Sequence, residues 1–401
     1  MIASKDNLLS VEQGLIMART TGTYHIARVA EEEVKAFVPN PLPPADPPLV
    51  VDEAIQRRLD CAMAGLSRLD VATNLVPDSQ WFLYSFVRKE SLITSQIEGT
   101  QATLQDVLAF EVGQIPERPD DVQEVCNYIA ALKYARRELA HPRGLPLSMR
   151  LLCETHRRLM GKGVRGSDKQ PGEIRRSQNW IGGSRPGNAH FVPPPPELVS
   201  DALSLLEKWI HGSGDLPPLI RVGLAHVQFE TIHPFLDGNG RIGRLLITLL
   251  VEHWKLLSVP LLYLSVAFKR HQAEYYARLD SVRIKGDWEG WTRFFLDCVA
   301  EAADDAVTTA QRLFTQISRD RAALLKNSKA TVSALRLFDF LPSNPMMTLP
   351  LASKLLKASR PTVLHALTAL ESLGILKEFT GKQRDRAYAY HHYIRILARD
   401  T

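Results

Sequence analysis

Residues 232–244 combine a base, a carboxylate, a glycine-rich turn and two arginines in one short stretch, IHPFLDGNGRIGR. The glycines let the backbone approach a ligand closely. The apolar run that follows, from Ile242 to Val251, predicts a buried helix that begins at this turn. Unpaired N–H groups at a helix N-terminus bind anions, because the helix dipole adds to their partial charge. The stretch therefore predicts a site for nucleotide phosphates.

Each residue type has a role in such a site. The turn Gly238, Asn239 and Gly240 would present N–H groups to a phosphate. Arg241 and Arg244 are three apart, so they share a helix face and can donate to phosphate oxygens together.

Two further side chains complete this inventory. Asp237 can hold the Mg²⁺ that accompanies a polyphosphate. His233 is the one residue in the stretch that accepts a proton near pH 7, so it is the candidate general base.

Other interpretations of the same letters are less consistent. The segment 238–243 fits G-x-G-x-x-G, but the dinucleotide fingerprint needs a preceding strand and a βαβ unit, and 219–232 is at best ambiguous as a strand. An EF-hand loop starting at Asp237 needs Gly at its sixth position and Glu at its twelfth, where this chain has Ile242 and Thr248. A structural turn beside a core histidine is the remaining alternative, and the joint arrangement disfavours it.

Residues 233–244 also resemble the signature of the Fic family, H-P-F-x-D/E-G-N-G-R-x-x-R, without a mismatch. The resemblance implies an all-α fold that transfers the AMP part of ATP to a hydroxyl side chain of a target protein. His233 would deprotonate the hydroxyl and Asp237 would hold Mg²⁺. The kinase-like Doc branch has Lys in place of the second motif glycine, so Gly240 favours AMP transfer. The implied nucleotide-binding residues are Gly238, Asn239, Gly240, Arg241, Gly243 and Arg244.

A second motif lies near the end of a helix predicted over about 78–98. Glu98 in a last turn opposes the helix dipole, so it is either exposed or compensated by a cation. The segment from Thr94 to Gly99 resembles the Fic inhibitory motif, S/T-x-x-x-E-G/N. The resemblance implies that Glu98 pairs with Arg244, blocks the γ-phosphate position and holds ATP unproductively.

Composition restricts the class of protein. The 401 residues suit two or three domains, and 45% hydrophobic with 23% charged residues is ordinary for a globular chain. The four cysteines are far apart and indicate neither a zinc site nor a disulfide framework. No signal peptide or membrane-spanning run is apparent, so we expect a cytoplasmic protein without a membrane partner.

Helical spacing recurs along most of the chain. A proline-rich extended segment at 38–48 precedes a helix with Asp52 as its N-cap. Gly172 to Val192 predicts a β-hairpin, and in the family a flap at this place aligns the target, a role we assign to Ile181, Gly182 and Gly183. The other predicted helices lie at about 103–111, 120–140, 148–160, 197–211, 217–231, 241–256 and 287–326.

The family also has a helix with paired tyrosines towards the adenosine, which the segment 268–279 resembles. Tyr276 is the residue that we select there. Some relatives have Asn near the adenine seven residues later, whereas this chain has Arg283, which leaves other nucleotides open as substrates.

Residues 329–401 are expected to form a separate module. All of the net charge of +5 lies in 331–401, which has ten Lys and Arg against five Asp and Glu. Two helices with a tight turn between them, then a hairpin, resemble a winged helix-turn-helix. Double-stranded DNA is therefore a candidate partner. Its contacts would be Arg360, His365, Lys382, Arg384 and Arg386.

The predicted organisation is an N-terminal region at 1–115 with the inhibitory helix, a Fic core at 116–328 and the winged module at 329–401. The first function is an autoinhibited adenylyltransferase that uses ATP and Mg²⁺ on a Ser, Thr or Tyr hydroxyl of a target protein or of itself. The alternatives are a DNA-binding regulator whose pocket senses nucleotide, and a hydrolase that removes AMP from modified proteins. His233 and Asp237 favour an enzyme, because sensing needs no base. A homodimer is compatible with each.

Overall fold

The computed structural model describes residues 19–399, except residues 30, 75–78, 162, 260 and 328–330. The chain start at 1–18, the predicted helix start at 78 and the module boundary at 329 lie outside the described residues.

The N-terminal region begins with a β-hairpin that the sequence analysis did not predict. Strands β1 (Gly22–Val29) and β2 (Glu32–Pro39) pair antiparallel along their whole length. The backbone N–H of Phe37 donates to Val192 O over 2.9 Å, and Val34 and Ala36 pack on Val192. The extended segment that we placed at 38–48 is therefore strand up to Pro39.

Five helices follow, and the sequence signals at Asp52 and Gly99 are confirmed. Asp52 caps the first one, since its Oδ1 accepts from the N–H of Ile55 over 2.7 Å. Gly99, after the second, has φ +97°, a conformation that glycine adopts without strain. The helices are α1 (Glu53–Asn74), α2 (Ser79–Ile97), α3 (Leu104–Glu111), α4 (Pro119–Ala140) and α5 (Met149–Leu159).

The second half of the helical core surrounds two buried helices, α7 and α8, whose residues are almost all inaccessible to solvent. Helix α11 runs along α1, and ion pairs such as Arg58 to Asp297 join the two. The helices are α6 (Pro196–His211), α7 (Pro218–Ile232), α8 (Asn239–His253), α9 (Ser265–Arg270), α10 (Gln272–Lys285) and α11 (Trp288–Lys326). The described part of the chain is mostly helical, as expected.

The C-terminal module contains four helices and a three-stranded antiparallel sheet of order β3-β5-β4. It packs on the core through buried hydroxyls: Tyr390 donates to Asp320 over 2.8 Å, and the hydroxyls of Ser85 and Tyr393 lie 2.9 Å apart. Its elements are α12 (Val332–Phe340), β3 (Met346–Thr348), α13 (Leu349–Leu356), α14 (Arg360–Ser372), β4 (Lys377–Glu378), β5 (Ala387–Ala389) and α15 (His391–Leu397).

The hairpin predicted at 172–192 is reduced to one β-bridge between Ile181 and Phe191. Positive φ values at Gly182 and Gly183 end the pairing immediately after the bridge. The strand partner of this region is instead β2, through Val192. No helix among the described residues is long and apolar enough to cross a membrane.

Candidate active site

The loop between α7 and α8 positions His233. Helix α7 ends at Ile232, and His233 adopts a left-handed conformation with φ 50° and ψ 62°. A non-glycine residue in this region is strained, so the surroundings must hold it. The side chain of Asn239 does so by accepting from the N–H of Phe235 over 2.8 Å and donating to its carbonyl over 2.7 Å. The side chain of Asn239 thus fixes the loop, and its backbone N–H remains at the start of α8.

The imidazole of His233 is neutral and presents its Nε2 as an acceptor. Its Nδ1 lies 3.4 Å from Glu230 O, and because a carbonyl can only accept, Nδ1 carries the proton. Burial lowers the pKa of His233 to about 3, and the cations Arg283 and Arg175 lower it further. A half-buried imidazole of this tautomer is uncharged near pH 7, and the lone pair of its Nε2 can accept a proton from a hydroxyl placed beside it.

Arg175, which the sequence analysis did not select, ties the flap region to this loop. Its Nε donates to His233 O and its backbone N–H to Pro234 O, both over 2.9 Å. Its Nη2 donates to Pro194 O over 2.5 Å. The side chain is 1% exposed and satisfies carbonyls rather than a carboxylate, so it is a structural cation beside the base.

His156 supports the other end of the loop. Its Nδ1 accepts from the N–H of Gly172 over 2.8 Å, so Nε2 carries the proton and donates to Asp237 O over 3.0 Å. The ring stacks on Phe235 with centroids 3.9 Å apart. Burial lowers the pKa of His156 to about 4, which keeps this tautomer. No motif spacing marks His156 or Arg175, since their partners are backbone groups far along the chain.

The first turn of α8 provides N–H groups for an anion. Gly238 is its N-cap with φ +77°, and the N–H groups of Asn239, Gly240 and Arg241 have no preceding intrahelical acceptor. A Cβ on Gly240 would lie 2.5 Å from Glu98 Oε1, so the Glu98 carboxylate is directly beside this turn.

Gly243 lies one turn deeper and serves packing. A Cβ here would be 2.0 Å from Glu230 Oε1, and the Gly243 carbonyl accepts from His226 Nδ1 over 3.0 Å. We included Gly243 among the nucleotide-binding residues from the motif, and in the structure it lies on the side of α8 that packs against α7. Glu230 Oε1 is buried without a partner among the described residues, and burial raises the pKa of Glu230 to about 7.

Arg241 is buried and only loosely paired. Its guanidinium lies 3.5 Å from Glu124, 3.7 Å from Asp237 and 3.5 Å from Met160 Sδ. Its Nε is buried without a partner in the described part of the chain. A buried cation with long contacts still has donors for an anionic ligand.

Glu98 and Arg244 form the ion pair that the inhibitory motif implied. Arg244 Nη2 lies 2.5 Å from Glu98 Oε1, and Arg244 also donates to the hydroxyl of Thr94 over 2.6 Å and to its carbonyl over 3.1 Å. Burial alone would raise the pKa of Glu98, but Arg244 outweighs it and holds this pKa below its usual value. The pKa of Arg244 is raised, because the attraction of Glu98 exceeds the cost of burial.

The segment from Thr94 to Thr100 is also held by contacts that do not involve the Glu98 carboxylate. Arg165 Nη2 donates to the Glu98 carbonyl over 2.8 Å, and the Thr100 hydroxyl donates to Glu124 over 2.9 Å. Because Glu124 also faces Arg241, this buried carboxylate links the segment to the phosphate turn. Glu124 lies in the second turn of α4, and its position gave no sequence signal.

The remaining predicted residues lie around this centre. Ile181 is half-buried in its bridge, and the exposed Gly182 and Gly183 continue the flap edge. Tyr276 is 44% exposed, whereas its neighbour Tyr275 is buried with its hydroxyl 2.8 Å from His226 Nε2.

Arg283 is buried under the flap. Its guanidinium carbon lies 4.1 Å from the ring centroid of Phe191, and Nη2 donates to Glu230 O over 3.3 Å. Arg283 therefore lies next to the backbone carbonyl that orients His233. From the family resemblance we expected the residue at this position to lie near the adenine of the nucleotide.

The residues proposed for DNA are remote from this site. Arg360 and His365 are exposed on α14, and Lys382, Arg384 and Arg386 are exposed before β5. Two of these cations have hydrogen-bond partners: Lys382 donates to Gln114, far along the chain, over 3.1 Å, and Arg386 donates to Lys382 O over 3.0 Å.

Comparison with known families identifies this arrangement. Residues 56–137 match the model described as the Fic/DOC family N-terminal region, and residues 146–251 match the model of the Fic/DOC family. Both segments of the helical core therefore match Fic/DOC family models. The second match contains His233 and the α8 turn, and the first contains Glu98.

The Fic relatives differ in length from this chain. It is 26% identical over 303 residues to a protein named Protein adenylyltransferase Fic from Drosophila willistoni, covering 74% of this chain and 55% of the relative. A protein of the same name from Drosophila grimshawi is 29% identical over 213 residues, covering 52% and 40%. The chain therefore spans about half the length of the curated relatives it matches.

A solved structure of a Fic family protein from Desulfovibrio desulfuricans G20 shares the fold. It superposes with a TM-score of 0.56 at 22% identity, covering 86% of this chain and 98% of that one.

Proposed function

We propose that this chain transfers AMP from ATP to a hydroxyl side chain of a target protein or of itself, and that Glu98 inhibits this transfer. The observation that carries the proposal is the neutral His233, with its Nε2 unprotonated, on the loop that leads into a cationic helix start. The names of the similar Drosophila proteins support the same reaction.

The chain's own residues account for each part of the transfer. Nε2 of His233 accepts the hydroxyl proton as the hydroxyl oxygen bonds to the α-phosphorus. The bond from that phosphorus to the bridging oxygen breaks, and pyrophosphate leaves. Arg241 and the first N–H groups of α8 stabilise the negative charge, because they are fixed before the ligand arrives. Arg244 is assigned to the outer phosphates once Glu98 has left it.

Asp237 fits the Mg²⁺ that accompanies ATP. Its carboxylate is 39% exposed at the mouth of the turn, and Oδ1 accepts from the N–H of Gly238 over 2.6 Å. Mg²⁺ in nucleotide sites is commonly held by one or two carboxylates together with the phosphates, and Asp237 supplies such a carboxylate. When bound, Mg²⁺ would neutralise phosphate charge, and Asp237 would orient it.

Inhibition follows from competition for Arg244. In the structure its guanidinium is taken by Glu98 and Thr94, so an outer phosphate would have to displace a carboxylate. A negative phosphate beside the Glu98 carboxylate is also repelled. ATP bound in this state would lack the contact that orders its phosphates for attack.

The test compares two labels on the purified Glu98→Gly chain with Mg²⁺. ATP labelled at the α-phosphate should label protein, and ATP labelled at the γ-phosphate should not. Mass spectrometry should locate an added AMP on a Ser, Thr or Tyr side chain. Transfer of the γ-label instead would mean phosphoryl transfer and refute the proposed reaction.

A second function, DNA binding by the C-terminal module, is favoured by one observation. Arg360 and His365 of α14 are exposed, as are the three cations before β5. The helix could enter the major groove while those cations contact phosphates. Titration of the full chain with duplex DNA should show affinity that falls with salt, with a log–log slope of about −0.9 per neutralised phosphate.

The matched variant replaces the three cations, Lys382, Arg384 and Arg386, by Ala. It should weaken binding and reduce the salt dependence. Binding that ignores both salt and the replacement would leave a protein-docking module.

A further inference from the structure

A cleft of about 1050 Å³ separates the end of α2 from the C-terminal module. One wall is the segment 100–105, directly after the inhibitory motif, and the other is formed by β4, the end of β5 and α15. Its volume is at the upper end of the range for small-molecule sites, about 300–1,000 Å³. None of its described lining residues belongs to the 233–244 loop, so it is distinct from the candidate active site.

Three cations line this cleft. Lys269 Nζ donates to the amide oxygen of Gln96 over 2.6 Å, and Arg395 Nη2 lies 3.0 Å from the ring of His392. Lys377 is exposed on β4. These partners are uncharged side chains, so the contacts do not cancel the positive charges of Lys269 and Arg395.

The Glu378 carboxylate on the same wall of the cleft does not cancel the charge of the three cations. Glu378 accepts from the backbone N–H groups of Thr380 over 2.7 Å and of Gly381 over 3.0 Å, and from the Thr380 hydroxyl. These bonds turn it towards its own loop. The cleft therefore has a positive excess.

The rest of the lining is apolar and includes Met346, Phe379 and Ile394. Met346 and Ile394 are buried, and Phe379 is half-buried. A ligand complementary to both parts has two or more negative charges and an apolar or aromatic portion. A nucleotide-sized phosphate compound meets this description, since phosphate suits lysine and arginine together.

We propose that this cleft binds a phosphate-bearing small molecule of nucleotide size and that the bound ligand reinforces inhibition. The second half of the proposal rests on the proposed function; the binding itself does not.

The end of α2 connects the cleft with the active site. Thr94 and Glu98 are four residues apart and face Arg244, whereas Gln96 lies on the opposite side of the helix and faces the cleft. Gln96 is bonded to Lys269 and, over 3.0 Å, to Ala102 O. A ligand that bridges the segment 100–105 and the module would hold this turn from its outer side.

The direction of the effect follows from linkage. The cleft is formed in the arrangement in which Glu98 pairs with Arg244. A ligand that binds this arrangement better than one with α2 displaced shifts the population towards it. A ligand at about ninefold its Kd, with no affinity for the displaced state, would reduce the uninhibited population about tenfold.

The test uses ADP and inorganic pyrophosphate on the full chain, with hydrogen-exchange mass spectrometry as the readout. We expect both probes to protect the 233–244 loop, and ADP also to protect residues 100–105 and 377–379. Protection there by pyrophosphate as well would identify phosphate as the main determinant. Protection confined to the 233–244 loop with millimolar ADP would overturn the cleft site.

A charge-reversed variant separates the two sites. Lys377→Glu with Arg395→Glu should weaken ADP binding at the cleft at least tenfold and leave protection of the 233–244 loop unchanged. Lys326→Glu with Lys354→Glu reverses two exposed cations elsewhere and should change neither. Equal cleft protection in both double variants would also overturn the proposal.

The proposed effect of the ligand on inhibition is tested separately, by the rate of AMP transfer. ADP competes at the active site in every variant, so the relevant quantity is the additional inhibition of AMP transfer that wild type shows over the charge-reversed variant. Equal inhibition of the two would refute the regulatory effect while leaving the binding site. If no variant transfers AMP, the proposed function fails, and the exchange experiment still decides the site.

Discussion

Replacing Glu98 by Gly should activate AMP transfer, because it removes the carboxylate that holds Arg244. The pair is short, at 2.5 Å, and lies between a 2% exposed guanidinium and a 31% exposed carboxylate. A hydrogen bond to a charged group at such a site is worth about 1.5–3 kcal/mol. Since 1.4 kcal/mol is a factor of ten, the uninhibited population should rise about 10- to 100-fold.

Two features of the variant decide where within this range the increase in the uninhibited population falls. Arg244 keeps its bonds to Thr94 in the variant, so it is not wholly free for a phosphate, which favours the lower part. Glycine at position 98, next to Gly99, also loosens the segment by up to about 1 kcal/mol relative to Ala in a helix, which favours the upper part. Glu98→Gln separates these effects, because it removes the charge and keeps the side chain.

The assay is initial-rate transfer of α-labelled AMP to the protein at saturating ATP and Mg²⁺. We expect the order wild type, Glu98→Gln, Glu98→Gly from slowest to fastest. Adding Arg244→Ala to Glu98→Gly should suppress transfer again, since the outer phosphates lose their partner. Equal rates for wild type and Glu98→Gly, or full transfer without Arg244, would refute the inhibitory reasoning.

Three further outcomes test the site. His233→Ala in the Glu98→Gly background should abolish transfer while calorimetric ATP binding stays within a few-fold; transfer at an unchanged rate would remove His233 as the base. Thr100→Val should raise wild-type transfer about tenfold or more, because it breaks one hydrogen bond to a charged carboxylate, Glu124, worth at least about 1.5 kcal/mol; it should add nothing to Glu98→Gly. Arg283→Gln should raise the pKa of His233, because the cation disfavours protonation, and move the acid limb of kcat/KM to higher pH; an NMR titration of His233 unchanged by this variant would contradict it.

Local sequence patterns predicted the helices well, because their signals are strong where apolar spacing, caps and stops coincide. Helix α4 was expected at 120–140 and spans Pro119–Ala140, and the Asp52 cap and the Gly99 stop were confirmed. The β1–β2 hairpin was missed because its outer face, with Tyr24 and Ile26 exposed, does not alternate cleanly between apolar and polar residues.

The prediction that the flap forms a β-hairpin was wrong for a different reason. Its segment was expected to pair with itself, but Gly182 and Gly183 adopt positive φ and leave only the bridge at Ile181. Its other neighbour, β2, lies about 150 residues earlier in the chain, and nothing in a local pattern indicates a partner at that distance.

The motif predicted which side chains carry the proposed chemistry, whereas the residues that hold those side chains in place could be found only from the three-dimensional structure. A motif consists of side chains that are close in sequence. His233, however, is held in its left-handed conformation by hydrogen bonds from Arg175 to backbone carbonyls, and the Asp237 carbonyl accepts a hydrogen bond from His156. Any sequence has a carbonyl at each position, so such contacts impose no pattern. They predict instead a testable separation: losing His156 should disturb the position of Asp237, the proposed Mg²⁺ ligand, and losing Arg175 that of His233, the proposed base. The two losses should therefore differ in whether excess Mg²⁺ restores transfer, with recovery expected for His156→Ala and none for Arg175→Ala.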